Sequence, residues 1–210
     1  MSTALCRPPR LGSVDPKETI AALATNDLLA RYRRGVENYD RRLFLLRDEQ
    51  LDQAFLPESG LGRWPVRVVL GHVMDADLVA VHRMRRAVAE DNPVFADWDE
   101  NAFVESNLYG VGAPPGGGGA VGWYVALTHT LRQGTAQWAF SLSDAQLART
   151  GMHPVRGVMS VRDILVSYTH HLEHHAAYLN AKVERFLGPA PEEPVPAGGC
   201  GPGCGCKPKG

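Results

Sequence analysis

The sequence predicts an all-α protein: a four-helix bundle that ends in a disordered, cysteine-containing C-terminal tail. Three observations lead there. Apolar residues recur at helical spacing through three long stretches, opening near Trp64, Ala120 and Ser160, with a helix-favouring region before them. The segment Leu46-Arg-Asp-Glu-Gln-Leu51 is echoed by Leu142-Ser-Asp-Ala-Gln-Leu147, and 13 residues after each echo a long helix begins, at Trp64 and at Ser160. That repetition suggests two related helix pairs packed as one bundle. From residue 188 the chain is rich in Pro and Gly and has almost nothing to bury, which leaves it disordered.

In chain order, residues 1–26 read as an N-terminal arm and short helix, 27–187 as the bundle, and 188–210 as the tail. Asp15-Pro16 has the form of an N-cap followed by proline at the first helical position. Helix-favouring sequence continues to about Leu46, broken near Thr25-Asn-Asp27, where Asp27 is placed to cap a second piece. Pro57-Glu-Ser-Gly60 marks a loop. Trp64-Pro-Val-Arg67 opens a long helix that runs to about Glu90, and Asp91-Asn-Pro93 stops it. Residues 94–119 read as irregular. The run Pro114-Pro-Gly-Gly-Gly-Gly119 lacks the Lys-Ser/Thr of a phosphate loop and reads as a flexible connection. A third long helix fits Ala120 to Leu142, with His129 on its surface. Ser160-Val-Arg-Asp163 is a capping-box pattern, and the helix it starts ends near Leu187, before Gly188-Pro-Ala-Pro191.

That last helix carries Tyr168-Thr-His-His-Leu-Glu-His-His175, with four of the chain's eight histidines in six residues. The apolar residues Val161, Ile164, Leu165, Leu172, Leu179 and Val183 form one stripe on its wheel. At about 100° per residue, His175 lies roughly 40° from the stripe's centre and His171 roughly 80°. His174 and His170 lie about 140° and 180° away, towards solvent. His171 and His175 therefore point along the core one turn apart, the spacing two imidazoles need to hold one metal ion. A core-facing His pair alone is as easily two hydrogen-bonded core residues, so a third ligand from another helix decides the matter. His72 supplies the candidate, sharing a face with Val68, Val69, Ala76, Val79 and Ala80. Asp75, one turn on, is placed to orient a neighbouring ligand or to bond to backbone.

If the helices pack as a bundle, His72, His171 and His175 form a three-imidazole site with a vacant position. Catalytic metal sites keep such a position, whereas structural zinc sites are usually closed by four protein ligands. Three His ligands suit Zn²⁺ or Ni²⁺ foremost, and also Fe²⁺ or Mn²⁺. The three histidines would act catalytically through the bound metal, on water for hydrolysis or on a thiol for transfer.

Composition limits the other classes. The chain has 22 Lys plus Arg against 23 Asp plus Glu, so no net basic charge favours nucleic acid. The run His82-Arg-Met-Arg-Arg86 reads as a solvated helix face. No apolar stretch approaches a membrane span, and the start lacks the apolar region of a signal peptide, so a cytoplasmic protein is expected. Cys6, Cys200, Cys204 and Cys206 lie outside the expected core, and disulfides are not expected to hold the fold. Cys200-Gly-Pro-Gly-Cys204-Gly-Cys206 has the spacing of an accessory soft-metal or redox tail.

Four motifs in order carry a family resemblance. Trp64-Pro-Val-Arg with His72 and Asp75 resembles the Trp-x-Val-Arg helix of the DinB/YfiT-like superfamily. Trp98-Asp-Glu-Asn-Ala-Phe103 resembles the aromatic-Asp-Glu-x-Ala-aromatic segment of its YfiT branch, and Met152-His-Pro154 its His-Pro turn. His171-Leu-Glu-His-His175 resembles the family's His-(x)2-His-His, whose first and last His bind metal. The resemblance covers about residues 27–187 and implies the same triad, His72, His171 and His175. It also implies a four-helix bundle that is often a homodimer. The implied activity is transfer of a low-molecular-weight thiol, such as bacillithiol, to a small electrophile; other members were earlier described as metal-dependent hydrolases. The chain departs from the pattern at Tyr178, where members often have a further His, and at Ala76-Asp77, where they often have Ser-His. A non-enzymatic metal-binding or stress-response bundle is the remaining alternative.

Overall fold

The structure, a computed structural model, describes residues 12–113 and 121–191. The Cys-containing tail beyond 191, Cys6 and the glycine run at 116–119 lie outside the described residues. Among the described residues eight α-helices follow in chain order: α1 Lys17–Ala21, α2 Thr25–Arg33, α3 Asp48–Leu51, α4 Val66–Ala89, α5 Glu100–Glu105, α6 Val121–Phe140, α7 Asp144–Leu147 and α8 Val161–Leu187. Strands β1 Thr150–His153 and β2 Gly157–Ser160 form an antiparallel hairpin, with Thr150 opposite Ser160 and His153 opposite Gly157.

Four helices make the bundle. α2 packs on α6, α6 on α4, α4 on α8, and α8 back on α2, closing a ring. One side chain joins all four. The fully buried Arg132 of α6 donates from Nε and Nη2 to the Asp77 carboxylate of α4 at 2.6 and 2.9 Å. Its Nη1 reaches the Tyr32 carbonyl of α2 at 3.2 Å and its Nη2 the Tyr168 carbonyl of α8 at 2.7 Å. The apolar core divides on either side of this polar layer. One part gathers Leu28, Met84 and Ile164, the other Val69, Leu172 and Leu179.

Local chemistry explains most boundaries. Ser160 Oγ accepts from Asp163 N at 3.0 Å while Asp163 Oδ2 accepts from Ser160 N at 2.9 Å, so the capping box starts α8 where expected. The two echoed segments are the four-residue helices α3 and α7. In each, the glutamine reaches back to the N-cap backbone: Gln50 Oε1 accepts from Arg47 N at 3.0 Å, and Gln146 Oε1 from Ser143 N at 2.9 Å.

The N-terminal region differs from expectation. Asp27 lies inside the first turn of α2, whose N-cap is Ala24, and α2 ends at Arg33. Residues to Leu45 continue as two 3-10 turns, Gly35–Asn38 and Arg41–Leu45. Gly35 packs where a Cβ would meet the Arg132 guanidinium and Leu172, so the chain must pass close to the bundle axis there. Likewise α1 starts at Lys17 after Pro16, and Asp15 pairs with Arg31 at 2.8 Å instead of capping. The hairpin is also absent from the sequence prediction. It is pinned by Phe95 N donating to Met152 O and Met152 N to Pro93 O, both at 2.8 Å, with Gly151 lying against the Phe95 ring.

Candidate metal centre

α4 contributes His72 and α8 contributes His171 and His175, and the structure brings the three together. Their ligand-type nitrogens all lie within 4.8 Å of one another. The Nε2 of His171 is 3.0 Å from that of His72 and 3.2 Å from that of His175. One nitrogen thus faces two others, and one shared proton cannot satisfy both contacts. Ligands held tetrahedrally at the usual Zn–N length stand roughly 3.3 Å apart, so the donor set fits a divalent cation. Burial pushes His72 down to about 4 and His175 to about 3, and His171 also lies well below the ordinary range, chiefly through burial. All three imidazoles are therefore neutral at pH 7, the form that binds metal.

Aromatic rings fix these imidazoles. Trp98 stacks on His72 at 5.4 Å between centroids, and Trp64 stacks on His175 at 6.3 Å while tilting against His72 at 4.9 Å. Trp98 arrives on the segment before α5, a helix capped by Asp99, which accepts from the backbone N–H of Asn101 and Ala102. The same turn places Glu100, half exposed, with Oε2 3.8 Å from His72 Nε2. Residues 94–119 are thus not irregular throughout as expected, and helical periodicity could not find Glu100 because α5, Glu100–Glu105, is too short to show a periodic apolar face. The Asp-Glu pair after Trp98 was its only signal.

Asp75 differs from expectation. It accepts the Tyr109 hydroxyl at 2.9 Å, while the buried Nδ1 atoms of His72 and His171 meet no acceptor. Asp75 holds the 103–109 segment against α4 and does not orient these two rings. His170 is partly buried and His174 exposed, and both edge the cavity over the triad. His129 is exposed. Arg83, placed above on a solvated face, is buried.

Two cavities meet at the triad. The larger, about 810 Å³, is walled by Trp64, His72, Trp98, Glu100, Tyr168 and His171 among others. The smaller, about 280 Å³, reaches Tyr178 and Lys182. Trp64, Asn101, His174 and His175 border both. Burial lowers the Lys182 ammonium to about 8, and its Nζ donates to the carbonyls of Leu61 and Gly62. Among the described residues no helix is long and apolar enough to cross a membrane.

Fold and site together define a helical bundle of the four-helix type with a three-histidine donor group set between two of its long helices. The chain belongs to the DinB superfamily, whose sequence model matches residues 17–179. It is 28% identical over 165 residues to a "Putative metal-dependent hydrolase" of Oceanobacillus iheyensis, covering 77% of this chain and 89% of that one. A relative of the same description, YfiT of Bacillus subtilis, is 23% identical over 179 residues, covering 85% and 94%. The solved structure of Bacillus subtilis YfiT, described as having an unusual four-helix bundle topology, matches with a TM-score of 0.68 at 22% identity. That match covers 85% of this chain and 95% of YfiT. The fold expected from the sequence is the fold of this neighbour.

Proposed function

We propose that the protein is a metal-dependent enzyme that transfers a low-molecular-weight thiol to a small electrophile, with His72, His171 and His175 holding a divalent ion. The observation that carries this reading is the pair of cavities meeting at His175. Two organic reactants need two lobes beside one centre, whereas hydrolysis needs only one and a water. A divalent ion on the three imidazoles supplies Lewis acidity, bringing the pKa of a thiol or water down towards neutrality.

The chain's own residues supply the rest. Trp64 and Trp98 hold the rings in place and exclude water from the inner face of the site. Glu100 Oε2, on the open side of His72, accepts the thiol proton as sulfur attacks carbon. The S–H bond breaks, an S–C bond forms, the bond from carbon to its leaving group breaks, and Glu100 returns the proton to that group. Hydrolysis is the second reading, favoured by the description of the relatives; it places water where the thiol would stand. Homodimerisation, and a cytoplasmic setting rich in small thiols, accord with the thiol reading and go with it as proposals.

The test is conjugation of cysteine or another small thiol to 1-chloro-2,4-dinitrobenzene by metal-loaded protein. Turnover should require both metal and thiol and vanish in His171→Ala. Glu100→Gln should lower kcat by roughly 10²-fold or more. Ester cleavage with no thiol requirement, and no conjugation, would select hydrolysis.

A further inference from the structure

Arg83 stands out among the buried guanidiniums. It is 6% exposed and lines the larger cavity. Its Nη1 donates to the Tyr168 hydroxyl at 3.1 Å and its Nη2 to the Ala96 carbonyl at 2.8 Å, while the buried Nε meets no acceptor. These partners are neutral. The other buried guanidiniums are matched with carboxylates: Arg132 with Asp77, and Arg67 with Asp48 and Asp52. A buried charge left without a counter-ion is costly, and a cation in a cavity wall can be matched by an anion that enters the cavity.

The groups around Arg83 are donors too. Tyr168 accepts from Arg83, so its own O–H remains to be given. His153 Nδ1 accepts from the backbone N–H of Val155 and Arg156 at 3.2 and 3.3 Å, which places its ring proton on Nε2. Burial, then Arg83 and Arg156, lower the His153 pKa and keep that ring neutral. Ser167 Oγ is buried without a partner one turn before His171. The acids that line the same cavity, Asp97, Asp99 and Glu100, are all exposed. Asp97 and Asp99 already accept backbone N–H groups of residues 98, 101 and 102.

We propose that this end of the cavity is an anion subsite that takes the carboxylate of the substrate reacting at the triad. One buried guanidinium with neutral donors beside it suits a carboxylate more than a phosphate dianion, since the cavity's other cations, Lys17 and Arg156, are exposed and solvent-screened. The Tyr168 ring spans the gap, with its centroid 5.9 Å from that of His171 and its hydroxyl on Arg83. The substrate is therefore a small carboxylate whose reacting atom lies about one aromatic ring's length from its charged end. This assignment rests on the triad being the reacting centre.

The test titrates full-length protein with succinate and with inorganic phosphate. It follows the Arg83 Nε–H resonance by NMR and affinity by calorimetry, in wild type, Arg83→Met, Arg83→Lys and His171→Ala. Succinate should shift the Nε–H signal and bind at least about tenfold more weakly to Arg83→Met, with partial recovery in Arg83→Lys. It should still bind His171→Ala, which separates the subsite from any anion held by metal. Arg83→Met should unfold at the same temperature as wild type or higher, because an uncompensated charge has gone. An unmoved Nε–H signal, unchanged affinity in Arg83→Met, binding lost only in His171→Ala, or tighter phosphate binding through Arg83 would each overturn the assignment. Should Arg83→Met not fold, the wild-type resonance and Arg83→Lys decide. Metal content of the wild type, read separately by elemental analysis, tests the triad alone.

Discussion

His171 places one ring nitrogen against two other imidazoles, and its neutrality makes that possible. Burial holds His72 down to about 4 and His175 to about 3 in the folded chain, whereas an unfolded imidazole titrates near 6.5. Between those values the unfolded chain binds more protons, so stability rises with pH across the window. In metal-free protein this contribution is complete above about pH 6.5 and is lost as pH falls towards 4 and then 3. The urea midpoint of metal-free wild type should therefore fall more steeply from pH 6.5 to 4 than that of metal-free His175→Gln. Identical slopes would contradict neutral burial of the ring. At this scale the sequence was informative where periodicity applied: the wheel separates His171 and His175 from His170 and His174 by angle alone. It put Arg83 in a solvated run, because the burial of that residue depends on Tyr168 and the Ala96 carbonyl arriving from elsewhere in the chain.

Among the elements, α4 does the most positioning. Its Gly71 lies against the Tyr109 ring, with no room for a Cβ, and Tyr109 in turn donates to Asp75. In an exposed helix Gly→Ala stabilises by about 1 kcal/mol. Here Gly71→Ala should destabilise by about 1–3 kcal/mol through overpacking, measurable by urea unfolding. A gain in stability would mean that Tyr109 moves aside freely. Long helices were legible because their caps and stops are local: the Ser160 box and Gly188 bound α8. The hairpin was not, since four-residue strands are too short for an alternation pattern and depend on Pro93 and Phe95 from another segment. Arg41–Leu45 misled for the opposite reason. Its composition favours helix, but the Asp40 side chain, accepting from Arg42 N, starts a tight 3-10 turn.

For the whole molecule, one buried ion pair ties the bundle together, and one three-histidine group lies between α4 and α8. Arg132 touches all four bundle helices, and its only carboxylate among the described residues is Asp77. Asp77→Ala leaves that charge buried and unpaired, and should cost about 3–5 kcal/mol of unfolding free energy. A loss below about 1 kcal/mol would contradict the ring-closing role. Asp77, one of the residues at which the chain departs from the pattern it resembles, thus has a structural role in the fold. The central claim is the metal centre itself. Its most direct test is elemental analysis of full-length protein with Cys200, Cys204 and Cys206 changed to Ser, beside the same protein carrying His175→Ala. The account predicts about one divalent ion per chain in the first and loss of that ion in the second. Metal kept after His175→Ala, or absent from both proteins, would contradict it.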